Sequence, residues 1–168
     1  IIPLYNEENS IQEVIERIPN HRKYEIILID DGSTDKSIKK VQEIHNRTIK
    51  VIRHKKNKGY GDALLSGFRQ ANGDIIITID SDGQHNPEEI PSLVKALIEN
   101  NADMVIGSRY LGSHSYKVPS HTKIGEFLIK NLIAFLFRQK IYNNQSGFRA
   151  IKTKSLVLLQ NMKNTKFG

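Results

Sequence analysis

Short β-branched apolar runs alternate along the chain with longer stretches in which apolar residues recur every three or four positions. Five runs, 1–4, 25–29, 49–52, 75–79 and 104–106, are uninterrupted in the manner of strands covered on both faces. The intervening stretches carry helix starts. Ser10 to Glu13 reads as a capping box ahead of Val14, Ile15 and Ile18 on one face. Thr34 and Asp35 open a second helix, with Asp35 as its cap and Ile38, Val41 and Ile44 in one stripe. Two further helices are expected over 61–71 and 88–98. This rhythm predicts an α/β fold, a mostly parallel open sheet with helices on both faces.

Beyond Tyr110 the rhythm changes. Residues 111–121 form a Gly-, Ser- and His-containing connection, long enough to be expected as a functional segment. Residues 123–139 are strongly helical. Their wide apolar sector suits both burial against the sheet and contact with a membrane surface. The longest apolar run, Leu132 to Phe137, is far below the roughly 20 residues a bilayer span needs. Neither end reads as a natural terminus, so the 168 residues are expected to be a fragment of one domain.

Charge adds a partner class. Residues 1–84 hold 13 Lys/Arg and 13 Asp/Glu, whereas 85–168 hold 12 against 5, which accounts for the net charge of +7. From Met104 onward Glu126 is the sole acid among 11 bases, a one-sidedness that suits phosphate, an acidic lipid head group or nucleic acid. The absence of cysteine excludes disulfides, zinc–thiolate sites and thiol nucleophiles.

Ligands of open parallel sheets bind beyond the carboxyl ends of the strands, and the chemistry-bearing residues cluster there. Asp80-Ser81-Asp82 follows a buried strand directly. Two carboxylates one residue apart on such a turn can grip a hard cation such as Mg²⁺ or Mn²⁺, with Gln84 adding a neutral oxygen or placing a metal-bound water. Asp30-Asp31-Gly32 ends another strand, where a carboxylate can accept from a base or ribose. Asn57-Lys58-Gly59-Tyr60-Gly61 opens a helix and suits a phosphate or a plain turn. Dinucleotide and P-loop glycine motifs are absent. The histidines at 21, 45, 54, 114 and 121 show no metal spacing and read as surface residues, while His85 sits beside the aspartate pair.

The series Ile2-Pro3-Leu4-Tyr5-Asn6-Glu7-Glu8, Asp30 to Asp35, Asn57-Lys58-Gly59, Asp80 to His85 and Gly107-Ser108-Arg109-Tyr110 resembles the inverting family-two glycosyltransferases with the GT-A fold. Gln145-Ser146-Gly147-Phe148-Arg149-Ala150 narrows the resemblance to the branch of dolichol- and polyprenyl-phosphate sugar synthases. It implies that Pro3, Tyr5 and Glu7 border the nucleoside and that Asp30 or Asp31 reaches base or ribose. Lys58, Gly59 and Ser81 complete the expected donor contacts. It further implies that Asp80, Asp82 and Gln84 serve the metal and diphosphate. Arg109 and Arg149 would face the sugar-phosphate and acceptor phosphate, with Gln145 and Ser146 on the acceptor side and Asp82, Arg109 and Arg149 as the catalytic set. Residues 1–110 would then be the nucleotide-sugar part and 111–168 the acceptor part. One departure is Asn143, where the family often carries an acid.

The implied reaction moves a sugar from a GDP- or UDP-linked donor to a polyprenyl or dolichyl phosphate at the cytoplasmic face of a membrane, with Mg²⁺ or Mn²⁺. Two rivals remain. A transferase acting on a sugar hydroxyl would need a base, for which the stretch after Met104 offers Glu126 alone. A phosphate- or nucleic-acid-binding module would leave the acidic strand ends unexplained and lacks aromatic-basic interleaving, so no nucleic acid is expected.

Overall fold

The computed structural model describes residues 1–20, 24–107 and 146–156. Contacts divide the chain into two units, Ile1–Ile106 with Gly147–Gly168, and Gly107–Ser146. The first unit holds every described element. In chain order these are β1 (Ile2–Leu4), α1 (Ile11–Glu16), β2 (Ile26–Asp30), α2 (Ser37–Gln42), β3 (Ile49–Arg53), α3 (Tyr60–Phe68) and β4 (Ile75–Thr78). A 3-10 turn at Pro87–Glu89, α4 (Ile90–Glu99), β5 (Met104–Ile106), β6 (Arg149–Lys152) and a second 3-10 turn at Thr153–Leu156 follow.

β1, β2 and β3 pair in parallel, with Leu4 opposite Asp30 and Asp30 opposite Arg53. β4, β6 and β5 form a second set in which β6 runs antiparallel to both neighbours. Ile1 joins the two sets: its amine donates to the Ile77 carbonyl (2.7 Å), and the Ile79 amide donates to the Ile1 carbonyl (3.1 Å). The strand order is therefore β3-β2-β1-β4-β6-β5.

β2 shows why helices cover both faces. Ile26 and Leu28 point into a cluster with Ile11 and Ile15 of α1 and Leu93 and Leu97 of α4. Ile27 and Ile29, on the opposite side of the pleat, pack with Ala63 of α3. The α/β fold with helices on both faces thus stands.

Three expectations need correction. The β3 and β5 runs are not covered on both faces, because they are the two edges of the strand order; Val51, Met104 and Ile106 are exposed. β6 was not among the expected strands, and it inserts the antiparallel pairing that makes the sheet mixed. Ser10 does occupy the α1 N-cap, yet it makes no cap bond. Its single hydroxyl proton lies instead between the Ser81 carbonyl (2.7 Å) and Glu7 Oε2 (3.0 Å), while Glu13 pairs with Arg17. Asp35 stands one residue ahead of the α2 N-cap, Lys36, where no side-chain cap bond forms; its Oδ1 accepts from the Ser37 amide (3.0 Å) in a local turn. The 111–121 connection and the 123–139 helix lie outside the described residues. Among the described residues no helix is long and apolar enough to cross a membrane.

Leu28 is fully buried in the middle strand of the parallel set. Leu28→Ala is expected to cost about 2–5 kcal/mol of stability, read as a lower urea midpoint at unchanged slope.

Candidate active site

The carboxyl ends of β1, β2 and β4 meet through their loops, and hydrogen bonds between those loops fix the edge. Asn6, with φ of 55°, accepts at Oδ1 from the Thr34 amide (2.8 Å), and its own amide donates to Ser33 Oγ (3.1 Å). The Glu7 amide donates to Ser37 Oγ (2.8 Å) and the Glu8 amide to Asp35 Oδ2 (3.1 Å); Glu8 Oε2 accepts in return from the Lys36 amide (2.8 Å). Burial raises the Asp35 carboxyl's pKa, but the bonds from Ser37 and Glu8 outweigh it and leave the group below the ordinary carboxylate value. The motifs quoted Asn6 to Glu8 and Asp30 to Asp35, but not the bonds that zip the two loops together.

The end of β2 departs from expectation. Asp30 is fully buried; its Oδ1 accepts from the Ser33 amide (2.8 Å). Its Oδ2 faces Arg53 Nε at 2.9 Å, an ion pair without hydrogen-bond alignment. Asp31 is also buried and accepts from His54 Nδ1 (2.6 Å), the Lys58 amide (3.0 Å) and the Gly59 amide (2.8 Å). A carboxylate only accepts, so Nδ1 carries the proton, and Nε2 pairs with Ser66 Oγ of α3 (2.9 Å). Within the chain Asp30 and Asp31 hold loops together, because buried carboxylates require donors and the chain supplies them. The Lys58 and Gly59 amides both donate to Asp31. His54 is correspondingly a buried residue rather than a surface one. Gly32, at φ of 80°, lets this turn lie against Lys56 and Asn57, where a Cβ would meet backbone at 2.9 Å.

The end of β4 gathers the chemistry. Asp80 Oδ1 accepts from the Tyr60 hydroxyl (2.9 Å), and Oδ2 lies 3.5 Å from His85 Nε2. His85 is buried, packed with Phe148 at a ring separation of 5.5 Å, and its Nε2 makes no hydrogen bond. Gly147 forms the remaining wall: a Cβ there would land on the Asp80 carboxylate itself. Thr78 Oγ1 donates to the Gly147 carbonyl (2.7 Å), holding that wall in place. Asp82 Oδ1 accepts from the Gln84 amide (2.9 Å), and Gln84 is exposed. Arg149 lies opposite Thr78 in the β4–β6 ladder. Burial, then the Asp80 charge and hydrogen bond, push the Tyr60 phenol well above its ordinary value; Arg149 opposes this and Asp82 adds to it. Tyr60, Asp80, Asp82 and Arg149 therefore share one electrostatic neighbourhood in which the phenol stays a donor.

Of the other expected residues, Tyr5 is exposed at the end of β1, Glu7 accepts from Ser10, and Pro3 is buried within β1. Ser81 and Ser146 are buried. Arg109, Gln145, Glu126 and Asn143 lie outside the described residues. Tyr60 was quoted within its turn, but no spacing links it to Asp80.

Comparison with known proteins gives the family. Residues 1–158 match the family described as Glycosyl transferase family 2. Dolichol-phosphate mannosyltransferase of Pyrococcus furiosus is 44% identical over 160 residues, covering 90% of this chain and 45% of that protein. UDP-N-acetylglucosamine–dolichyl-phosphate N-acetylglucosaminyltransferase of Methanococcus voltae is 32% identical, covering 99% of this chain and 73% of that one. Among solved structures, glucosyl-3-phosphoglycerate synthase from Mycobacterium tuberculosis, in complex with Mn²⁺, UDP-glucose and phosphoglyceric acid, superposes with a TM-score of 0.72 at 26% identity. That match covers 92% of this chain and 56% of that one. The chain thus spans about half the length of the first relative and of this structure. With an α/β sheet of the GT-A kind and acids gathered at its strand ends, the chain belongs to glycosyl transferase family 2.

Proposed function

We propose that this chain is the donor-binding and catalytic core of an inverting transferase that moves a sugar from a GDP- or UDP-linked donor to a polyprenyl or dolichyl phosphate. One observation carries the reading: Asp80, seated where only glycine is permitted at position 147, shares with Asp82 and Arg149 the electrostatic surroundings of Tyr60. Two relatives bear the names of dolichyl-phosphate sugar transferases, which supports the acceptor class.

The donor set fits a hard divalent cation. Asp80 and Asp82 offer carboxylate oxygens, Asp80 sits in a cradle that a Cβ would fill, and the buried Nε2 of His85 lacks a hydrogen bond beside it. Among the described residues no group of three or more His, Asp or Glu is placed to hold a metal alone. Mg²⁺ or Mn²⁺ would rest on Asp80 and Asp82, with Gln84, water and diphosphate completing its shell. When bound, the ion neutralises the diphosphate as leaving group. Tyr5 is exposed where a nucleoside would stack, and Glu7 stands on the same loop.

Arg149 presents a guanidinium for the acceptor. A phosphate monoester has a second pKa near about 6 and is largely dianionic at neutral pH, so it needs placement more than a general base. By the family resemblance Arg109 would share this role, with Gln145 and Ser146 assigned to the acceptor. The basic excess after Met104 suits an anionic membrane surface, which supports reading the reaction as one at a membrane's cytoplasmic face.

In thermal-shift titrations GDP or UDP is expected to stabilise the protein only with Mn²⁺ or Mg²⁺, by about 2.7 kcal/mol at a hundredfold excess over Kd. Asp82→Asn should remove the cation dependence with the fold intact; equal shifts in EDTA would exclude the cation. Gly147→Ala should push Asp80 off its seat and weaken Mn²⁺-dependent nucleotide binding roughly ten- to a hundredfold by calorimetry. Arg149→Lys loses the planar two-point grip on phosphate. It should slow transfer to lipid phosphate about ten- to a hundredfold with donor affinity and melting temperature unchanged. Normal transfer by that variant would favour a hydroxyl acceptor.

A further inference from the structure

Tyr60 is the first residue of α3 and follows Gly59, whose φ is 94°. The turn before it is tied to the end of β2, because the amides of Lys58 and Gly59 both donate to Asp31. His54 locks Asp31 from the other side, and Ser66 on α3 itself backs His54. The start of α3 is thus anchored twice to one buried carboxylate. From that point the Tyr60 side chain crosses to the end of β4, where its hydroxyl donates to Asp80 Oδ1 at 2.9 Å.

A carboxylate free to turn about its Cβ–Cγ bond presents its oxygens in many directions. A donor on Oδ1 selects one of them and leaves further lone pairs available. Gly147 closes the space behind the group and His85 stands 3.5 Å from Oδ2. The tyrosine hydroxyl adds a hydrogen bond to these constraints. Partners of this kind, which hold a ligand oxygen without touching the metal, typically govern affinity by ten- to a hundredfold.

We propose that Tyr60 is a positioning residue for the cation site: its hydroxyl, anchored through the Asp31–His54–Ser66 chain, holds the Asp80 carboxylate oriented for a divalent ion. The same bond couples the turn at 57–60 to the loop at 80–84. This rests on the reading of Asp80 and Asp82 as cation ligands. It assigns no chemistry to the phenol itself.

The test titrates Mn²⁺ into the full chain, alone and with saturating GDP or UDP, and follows free Mn²⁺ by electron paramagnetic resonance. Tyr60→Phe keeps a ring that is already 47% exposed and removes the hydroxyl alone. Mn²⁺ affinity should fall about tenfold with the metal-free melting temperature unchanged. Equal or tighter Mn²⁺ binding by the variant would overturn the proposal, the tighter result showing that the hydroxyl competes with the ion. A lowered melting temperature at unchanged affinity marks a packing role and overturns it too. If the unsubstituted chain binds no Mn²⁺ under any of these conditions, the cation reading falls along with the inference. The two failures are therefore distinguishable.

Discussion

A buried carboxylate is the constraint from which the site takes its shape. Asp31 lies at the end of the central strand β2 with almost no access to water. Leaving such a charge without donors would cost several kcal/mol, so the fold must bring donors to it. They come from the strand beside it and from the turn before α3, through His54, Lys58 and Gly59. Satisfying one charge therefore sets the end of β3, the entry to α3 and the point from which Tyr60 projects. Asp30 does the same on a smaller scale for the Ser33 turn and Arg53.

The second determinant is steric. Asp80 can stand at the end of β4 only because position 147 has no side chain. Its neighbours then divide the work. Gly147 leaves room, Thr78 holds the wall, Tyr60 donates, and His85 with Phe148 fills the floor. An arrangement so crowded leaves the carboxylate little rotational freedom, which favours binding by reducing what must be ordered.

What could be read from the sequence follows from how local each signal is. The strands at 2–4, 26–30 and 75–78 and the four α-helices of the described residues were legible because apolar spacing records which faces are buried. The exposure of β3 and β5 was not, since edge position depends on strand order. β6 escaped because its four residues, Arg149 to Lys152, alternate too briefly and sit inside a segment read for its motif. The Ser10 box had the right residues, but a carbonyl 71 positions away captured the hydroxyl. The motifs quoted Asp80, Asp82, Gly147 and Arg149 in separate segments, without the contact of Gly147 with Asp80. Nor did they show how fully Asp30 and Asp31 are bonded by their own chain. Nor did they reveal His54, whose partners come from β2 and α3.

The antiparallel strand β6 has a consequence for how the protein is made. β4 is synthesised 71 residues before the segment that pairs with it, since Thr78 waits for Arg149. At about 5–20 residues per second on the ribosome, that wait is roughly 4–14 s. Throughout it one edge of β4 is an unpaired template of isoleucines, the kind of edge that recruits other chains. The same arrival brings Gly147 to Asp80 and Arg149 to their shared edge. Closure of the sheet and completion of the site are a single late event, so a nascent chain gains its chemistry at the moment it loses its stickiest edge.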